Sequence, residues 1–282
     1  MFNWSWNLRE QAGFLSPVGP NFSWAPTKHL YINDTHISVK LPKQQTVLPV
    51  PSITQSSPWR TDALDDRLYE FNGVRSRSVT AFMRQWDFNG PWFTGNLGGI
   101  TMTAIVVSPA DITEGLNYFH PRALEVGIAD YLTSRYGDHF SVDRSRQKWR
   151  APMNWRQCHN FPCIAARFEA VNVVVNARGP HCFLVVPVAK THYLLFECEI
   201  DRSNVLTDIK PEPTIDEWID PKPFLTLANQ VLDSVQVTLS PQAQAEQEEA
   251  LCNLSEKSLV KEYPPIKWTA PPVEIDENWR DK

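Results

Sequence analysis

The chain has 282 residues, 42% of them hydrophobic and 21% charged, with a formal net charge of −5. That length is ample for a sizeable core in one large domain or two small ones, and the composition is that of an ordinary globular protein. The acidic balance argues against wholesale nucleic-acid binding, which shows as a basic excess. No run of about eighteen apolar residues occurs, so no membrane-spanning helix is expected.

The opening stretch, MFNWSWNLREQAGFLSPVG, is broken by Arg9 and Glu10 before an apolar run of signal-peptide length develops. Cys158, Cys163, Cys182, Cys198 and Cys252 are odd in number and crowded into the second half, unlike an even-numbered disulfide framework. The expectation is a cytoplasmic protein with reduced thiols, in which the sequons at Asn3, Asn21, Asn33 and Asn253 are not glycosylated. Eleven tryptophans are unusual. Trp4, Trp6, Trp24, Trp59, Trp268 and Trp279 fall in turn-rich or terminal stretches with no repeated spacing. They are expected to anchor irregular segments onto the body rather than line a sugar- or protein-binding surface.

Residues 1–27 read as a Trp-rich arm. HLYINDTHISVKL then places two short strands around an Asn33-Asp34-Thr35 turn, and a proline-dense loop follows. SVTAFMRQWDF (78–88) reads as a strand with Phe82, Trp86 and Phe88 on one face and Val79, Ala81 and Met83 on the other. After the turn residues WFTGNLGG, the β-branched run ITMTAIVV (100–107) reads as a buried strand. Gly98-Gly99 precedes a strand and lacks a Lys-Ser/Thr pair, so it does not read as a phosphate loop.

The clearest helix is HPRALEVGIADYLTSRYGDHF, with Pro121 in its first turn, Gly137 at its stop, and Leu124, Ile128, Tyr131, Leu132 and Arg135 on one face. Strands follow at 161–170, 181–189 and 191–200, apolar almost throughout and so expected to be covered on both faces. Pro187 places its strand at an edge or a bulge. A second helix begins near Asp220 with Phe224, Ala228, Val231 and Val235 along one stripe, passing into a short strand, VQVTL. Ser240-Pro241 reads as the cap and first residue of a third, mostly polar helix over SPQAQAEQEEALCNLSEKSL. From Glu262 an extended tail is expected. The fold class is therefore α+β, an antiparallel sheet with helices packed on one side plus terminal extensions. Residues 28–240 form the domain, and 241–282 form a C-terminal helix with an acidic extended tail.

The early strand ISVKLP, the helix after ITMTAIVVSP, the run NFPCIAARFEA into two further strands, and FLTLANQVLDSVQV together resemble the PsbP/DcrB-like α/β family. The resemblance covers about residues 29–240. It extends to a fold shared with a small Ran-binding nuclear import factor. It implies an interaction role, because the understood members mostly bind other proteins, and it supplies no catalytic residues.

Two constellations are candidates for chemistry. CHNFPC (158–163) with His181-Cys182 has metal-ligand residue types, yet its first spacing is four residues where zinc knuckles commonly have two. In extended chain, adjacent side chains point to opposite faces, so Cys158-His159 and His181-Cys182 each offer one ligand at most to a common ion. Cys163, Cys182 and Cys198 are expected to be core thiols, and no cofactor or metal is called for. The second is DRSRQKWRAPMNWR, where Arg144, Arg146, Lys148, Arg150 and Arg156 mix positive charge with Trp149 and Trp155. The arginines and tryptophans are the candidate binding set for an acidic protein surface. The structural alternative is a solvated strand with its tryptophans turned inward. No G-x-S-x-G or H-E-x-x-H motif occurs.

The leading expectation is a non-catalytic protein-binding molecule, of adaptor, assembly or immunity type in a bacterium. Its arm and tail would be clamps on its own domain or docking elements. Two alternatives stay open. One is a small-molecule binder or hydrolase with a pocket between the sheet and the helix at 121–136. The other is a metal-stabilised structural protein using the 158–198 cluster.

Overall fold

The computed structural model describes residues 15–44, 59–61, 70–72, 76–90, 95–111, 114–141, 145–174, 178–202 and 219–269. Most of the proline-dense loop after Leu41, most of the acidic loop after Asp201, and Arg144 lie outside these residues.

β1 (Thr27–Ile32) and β2 (Thr35–Lys40) form the expected hairpin. Asn33 and Asp34 sit at φ 44 and 64, the paired left-handed conformations that a two-residue turn between right-twisted strands requires. β3 (Trp59–Thr61) pairs parallel to β1, and β11 (Gln236–Thr238) pairs antiparallel to β2, giving a four-stranded sheet.

The larger sheet has seven antiparallel strands in the order β4 (Glu70–Asn72), β5 (Ser76–Asn89), β6 (Asn96–Pro109), β10 (His192–Asp201), β9 (Arg178–Ala189), β8 (Ala166–Asn172), β7 (Trp149–Gln157). The order shows how the chain runs. After β6, helix α1 (Pro121–Tyr136) carries it across one face to the far edge, and β7 to β10 then return strand by strand until β10 closes against β6. His120 caps α1 through Nδ1, which accepts from the Arg122 N–H at 3.1 Å, and Pro121 occupies the first turn, where no N–H is needed.

The α+β class holds, but the helices lie on both faces of the sheet and not on one. α1 packs Leu124, Ile128, Tyr131, Leu132 and Tyr136 against Phe183, Val185, Tyr193 and Leu195. On the opposite face α2 (Lys222–Asp233) and the small sheet pack against Phe82, Trp86, Leu184, Leu194 and Phe196. Successive strand residues face opposite ways, so a central strand apolar at every position needs a cover on each side. The stripe of α2, Phe224, Leu227, Ala228, Val231 and Leu232, is buried at helical spacing, and Phe224 stacks on Phe88 with centroids 4.2 Å apart.

Smaller departures have local causes. A register shift between Thr80 and Phe82 brings Val79 and Ala81 to the same core as Phe82 and Trp86. Gly98-Gly99 lies within β6 rather than in a turn. Gly98 has φ +135, and a Cβ there would strike the Asp201 carbonyl, so this close approach of strands needs glycine. Pro187 is central, but a register shift at its partner Tyr193 supplies the expected bulge. Helix α3 (Pro241–Leu251) is shorter than its polar run. Ser240 caps it by accepting from the Ala243 N–H at 3.2 Å.

Candidate functional site

β9 and β10 point His181, Glu197 and Glu199 toward α1. Cross-strand pairing sets His181 opposite Glu199, with Cys182 opposite Cys198 as the next pair. The last turns of α1 bring Tyr131, Arg135 and Tyr136 down onto them. Glu197 is 2% exposed and His181 6%. Glu197 Oε1 accepts from the Tyr136 hydroxyl at 3.1 Å and lies 3.0 Å from His181 Nδ1, while Oε2 accepts from Tyr131 at 3.4 Å. Arg135 lies 3.8 Å from Glu197 Oε1 and donates to Glu199 Oε1 at 2.5 Å. Trp149 closes the side, its ring 4.6 Å from both Tyr136 and His181.

The electrostatics follow from this packing. Burial alone would raise the Glu197 pKa. The His181 hydrogen bond, the Arg135 charge and the Tyr136 hydroxyl outweigh it and hold the carboxyl below its ordinary value. Burial, and then the Glu197 charge, push the Tyr131 and Tyr136 phenols well up, so both remain hydrogen-bond donors. The cluster is a buried carboxylate on β10 supplied with partners from one neighbouring strand, β9, and one helix, α1.

Ligand atoms of His181, Glu197 and Glu199 lie within 4.8 Å of one another, the one such trio of potential metal ligands among the described residues. The guanidinium of Arg135 already bridges both carboxylates, so the positive charge that a metal would bring is supplied by the protein. The sequence signal for this site is Glu197 and Glu199 at period two inside LLFECEID, an acidic alternation in a strand otherwise read as apolar.

The 158–198 cysteine-histidine cluster does not converge. Cys163, Cys182 and Cys198 belong to the α2-side core, whereas His181 faces α1. His159 is exposed, and His192 is buried beside Thr191. Cys163 donates its thiol to the Pro187 carbonyl at 3.7 Å, and burial pushes it up to about 12. Burial does the same to Cys182, about 12, and drives Cys198 well up, so these thiols stay protonated.

In the basic-aromatic run the two residue types separate by face. Trp149 is 3% exposed and Trp155 is half-buried, both in the α1-side core, while Arg146, Arg150 and Arg156 are exposed. Trp155 Nε1–H donates to the Val260 carbonyl at 2.8 Å, so the C-terminal segment lies over it. None of the ion pairs among the described residues reaches Arg146, Arg150 or Arg156.

Beside the N-terminal half of α1 runs an open groove of about 590 Å³, lined among others by Leu116, Tyr118, Arg122, Val126 and Asp130. It lies between the β6–α1 connection and the helix, and not between the sheet and the helix, where α1 is packed against Phe183, Val185, Tyr193 and Leu195.

Fold and site together define an α+β protein with one antiparallel sheet sandwiched between two cores and a buried charge cluster under its crossover helix. No family model, no curated protein and no solved structure matches the chain. No helix among the described residues is long and apolar enough to cross a membrane.

Proposed function

We propose that this chain is a non-catalytic protein-binding module whose partner presents an acidic surface. The observation that carries the reading is the set of exposed guanidinium groups of Arg150 and Arg156 on the edge strand β7 and of Arg146 in the turn that leads into it. They stand without carboxylate partners among the described residues, on a chain whose net charge is −5. Arginines on and beside a strand anchored by a buried Trp149 and a half-buried Trp155 are pre-positioned for carboxylates, and such charges set partner choice and on-rate. Arg144 continues the same run in sequence. The sequence pattern of residues 29–240, read as resembling the PsbP/DcrB-like group with its mostly protein-binding members, points the same way. A cytoplasmic adaptor, assembly or immunity role fits such a module.

The test begins with tagged full-length chain used to recover a partner from native lysate. The triple variant R146E/R150E/R156E is expected to bind that partner about tenfold more weakly or worse, with wild-type affinity falling as salt rises. A folded variant with wild-type affinity would sink the reading.

The groove beside α1 favours a second reading, a small-molecule binder. Its lining combines apolar Leu116, Tyr118 and Val126, the last 60% exposed, with the charged Arg122 and Asp130.

A further inference from the structure

The segment after α3 runs as extended chain across the groove between α1 and β7. Leu259 is 4% exposed within the α1-side core. Its N–H donates to Gln157 Oε1 at 2.8 Å, and the Val260 N–H donates to Glu125 Oε1 at 2.7 Å. The Tyr263 ring lies 5.0 Å from that of Trp155. The Ile266 N–H donates to the Ala151 carbonyl of β7 at 2.8 Å. Trp268 Nε1–H donates to Thr133 Oγ1 at 3.1 Å, and the Trp268 carbonyl accepts from Gln147.

Val260, Tyr263 and Ile266 are half-buried, while Lys261, Glu262, Pro264, Pro265 and Lys267 are exposed. Between Val260 and Ile266 the half-buried residues recur at every third position around a Pro-Pro step, the period of a polyproline II helix, with Leu259 and Trp268 fastening the two ends. The groove meets this segment with an aromatic ring, a strand-edge carbonyl, and side-chain donors and acceptors aimed at main chain. Those are the means by which grooves recognise extended peptides in general. Glu125 is telling. It is a buried carboxylate, 6% exposed, with one oxygen paired to Arg122 at 2.7 Å and the other held out to a peptide N–H. Among the described residues, lifting 259–268 breaks one backbone–backbone hydrogen bond, that of Ile266, and leaves every helix and strand whole.

We propose that the groove between α1 and β7 is a recognition site for an extended, proline-containing apolar segment of a partner protein, and that residues 259–268 occupy it as a tethered, displaceable strap. The partner segment would carry the chemistry of the strap: an aliphatic residue for the Leu259 seat, then apolar or aromatic residues at steps of three around prolines. This goes beyond the basic-strip reading. Trp149, Ala151 and Trp155 turn toward this side of β7, the arginines do not, and either surface can fail without the other.

The probe is a fluorescein-labelled peptide of residues 257–269, titrated by anisotropy against the full chain. A tethered competitor acts at an effective concentration on the order of millimolar, so the wild type is expected to bind the peptide poorly. The strap variant L259D/W268A is expected to bind it at least about tenfold more tightly, an advantage abolished by adding Trp155→Ala. A strap variant with wild-type circular dichroism and no gain in affinity overturns the proposal. So does equal binding of a scrambled peptide. Wild-type chains that exchange straps into concentration-dependent dimers would overturn the choice of occupant in favour of a second copy. Hydrogen exchange on the wild type gives a reading that needs no variant. The Val260 and Ile266 amides should exchange faster than those of β9 and β10, and exchange only as slow as those strands overturns displacement.

Discussion

Glu197 sets the chemistry at the residue scale. It is a carboxylate at 2% exposure whose pKa is held below its ordinary value, against the effect of burial, by His181, Arg135 and Tyr136. Removing one donor leaves a buried acceptor short of partners, so Tyr136→Phe is expected to cost about 1–3 kcal/mol in urea unfolding at neutral pH. The folded pKa lies below the ordinary 4.5. Stability from the charge is therefore complete above that value and drains away as pH falls through the folded one. Glu197→Gln keeps the shape and loses the charge. The stability gap between wild type and E197Q should narrow as pH drops below 4.5, and a gap constant with pH would show that the charge does not carry it. Little of this was legible beforehand. The Glu197-Glu199 alternation is in the sequence, but the reach of α1 that supplies three of its partners is not.

At the scale of elements, α1 shows packing overruling local preference. Glycine inside a helix costs about 1 kcal/mol relative to alanine, so Gly127→Ala looks stabilising in isolation. A Cβ at Gly127 would stand 2.6 Å from Tyr118 Cε1 and 3.2 Å from Tyr193 Cε1, rings that pack edge-to-face at 5.1 Å. Overpacking of this kind costs about 1–3 kcal/mol, so the variant is expected to melt below wild type in calorimetry. A higher melting temperature would mean the rings yield. The bounds of α1, the start of α3, the α2 stripe and the Asn33-Asp34 turn were readable because capping residues, helical spacing and left-handed turn residues act locally. The β5 faces were misread because a single register shift, at Thr80/Phe82, inverts the alternation beyond it.

On the scale of the whole molecule, one sheet serves two cores, and the α2-side core holds the buried thiols. Cys163, Cys182 and Cys198 are 7%, 2% and 0% exposed, whereas Cys252 is exposed beyond α3. Iodoacetamide followed by mass spectrometry should label Cys252 within minutes and the other three only as the fold opens. Early labelling of Cys182 would mean that the α2 cover lifts locally. Composition, spacing and turn chemistry by themselves determined the α+β class, most strands, all three helices and the choice of β7 as the run where charge and aromatics meet. Those properties depend on neighbours a few residues apart, which a linear reading contains. Which face each helix covers, where His181 points, and what lies over Trp155 were decided by tertiary structure alone. They depend on contacts such as Tyr136 with His181, Glu125 with Val260 and Trp155 with Val260, separated by 45, 135 and 105 residues, and no local pattern encodes a meeting at that distance.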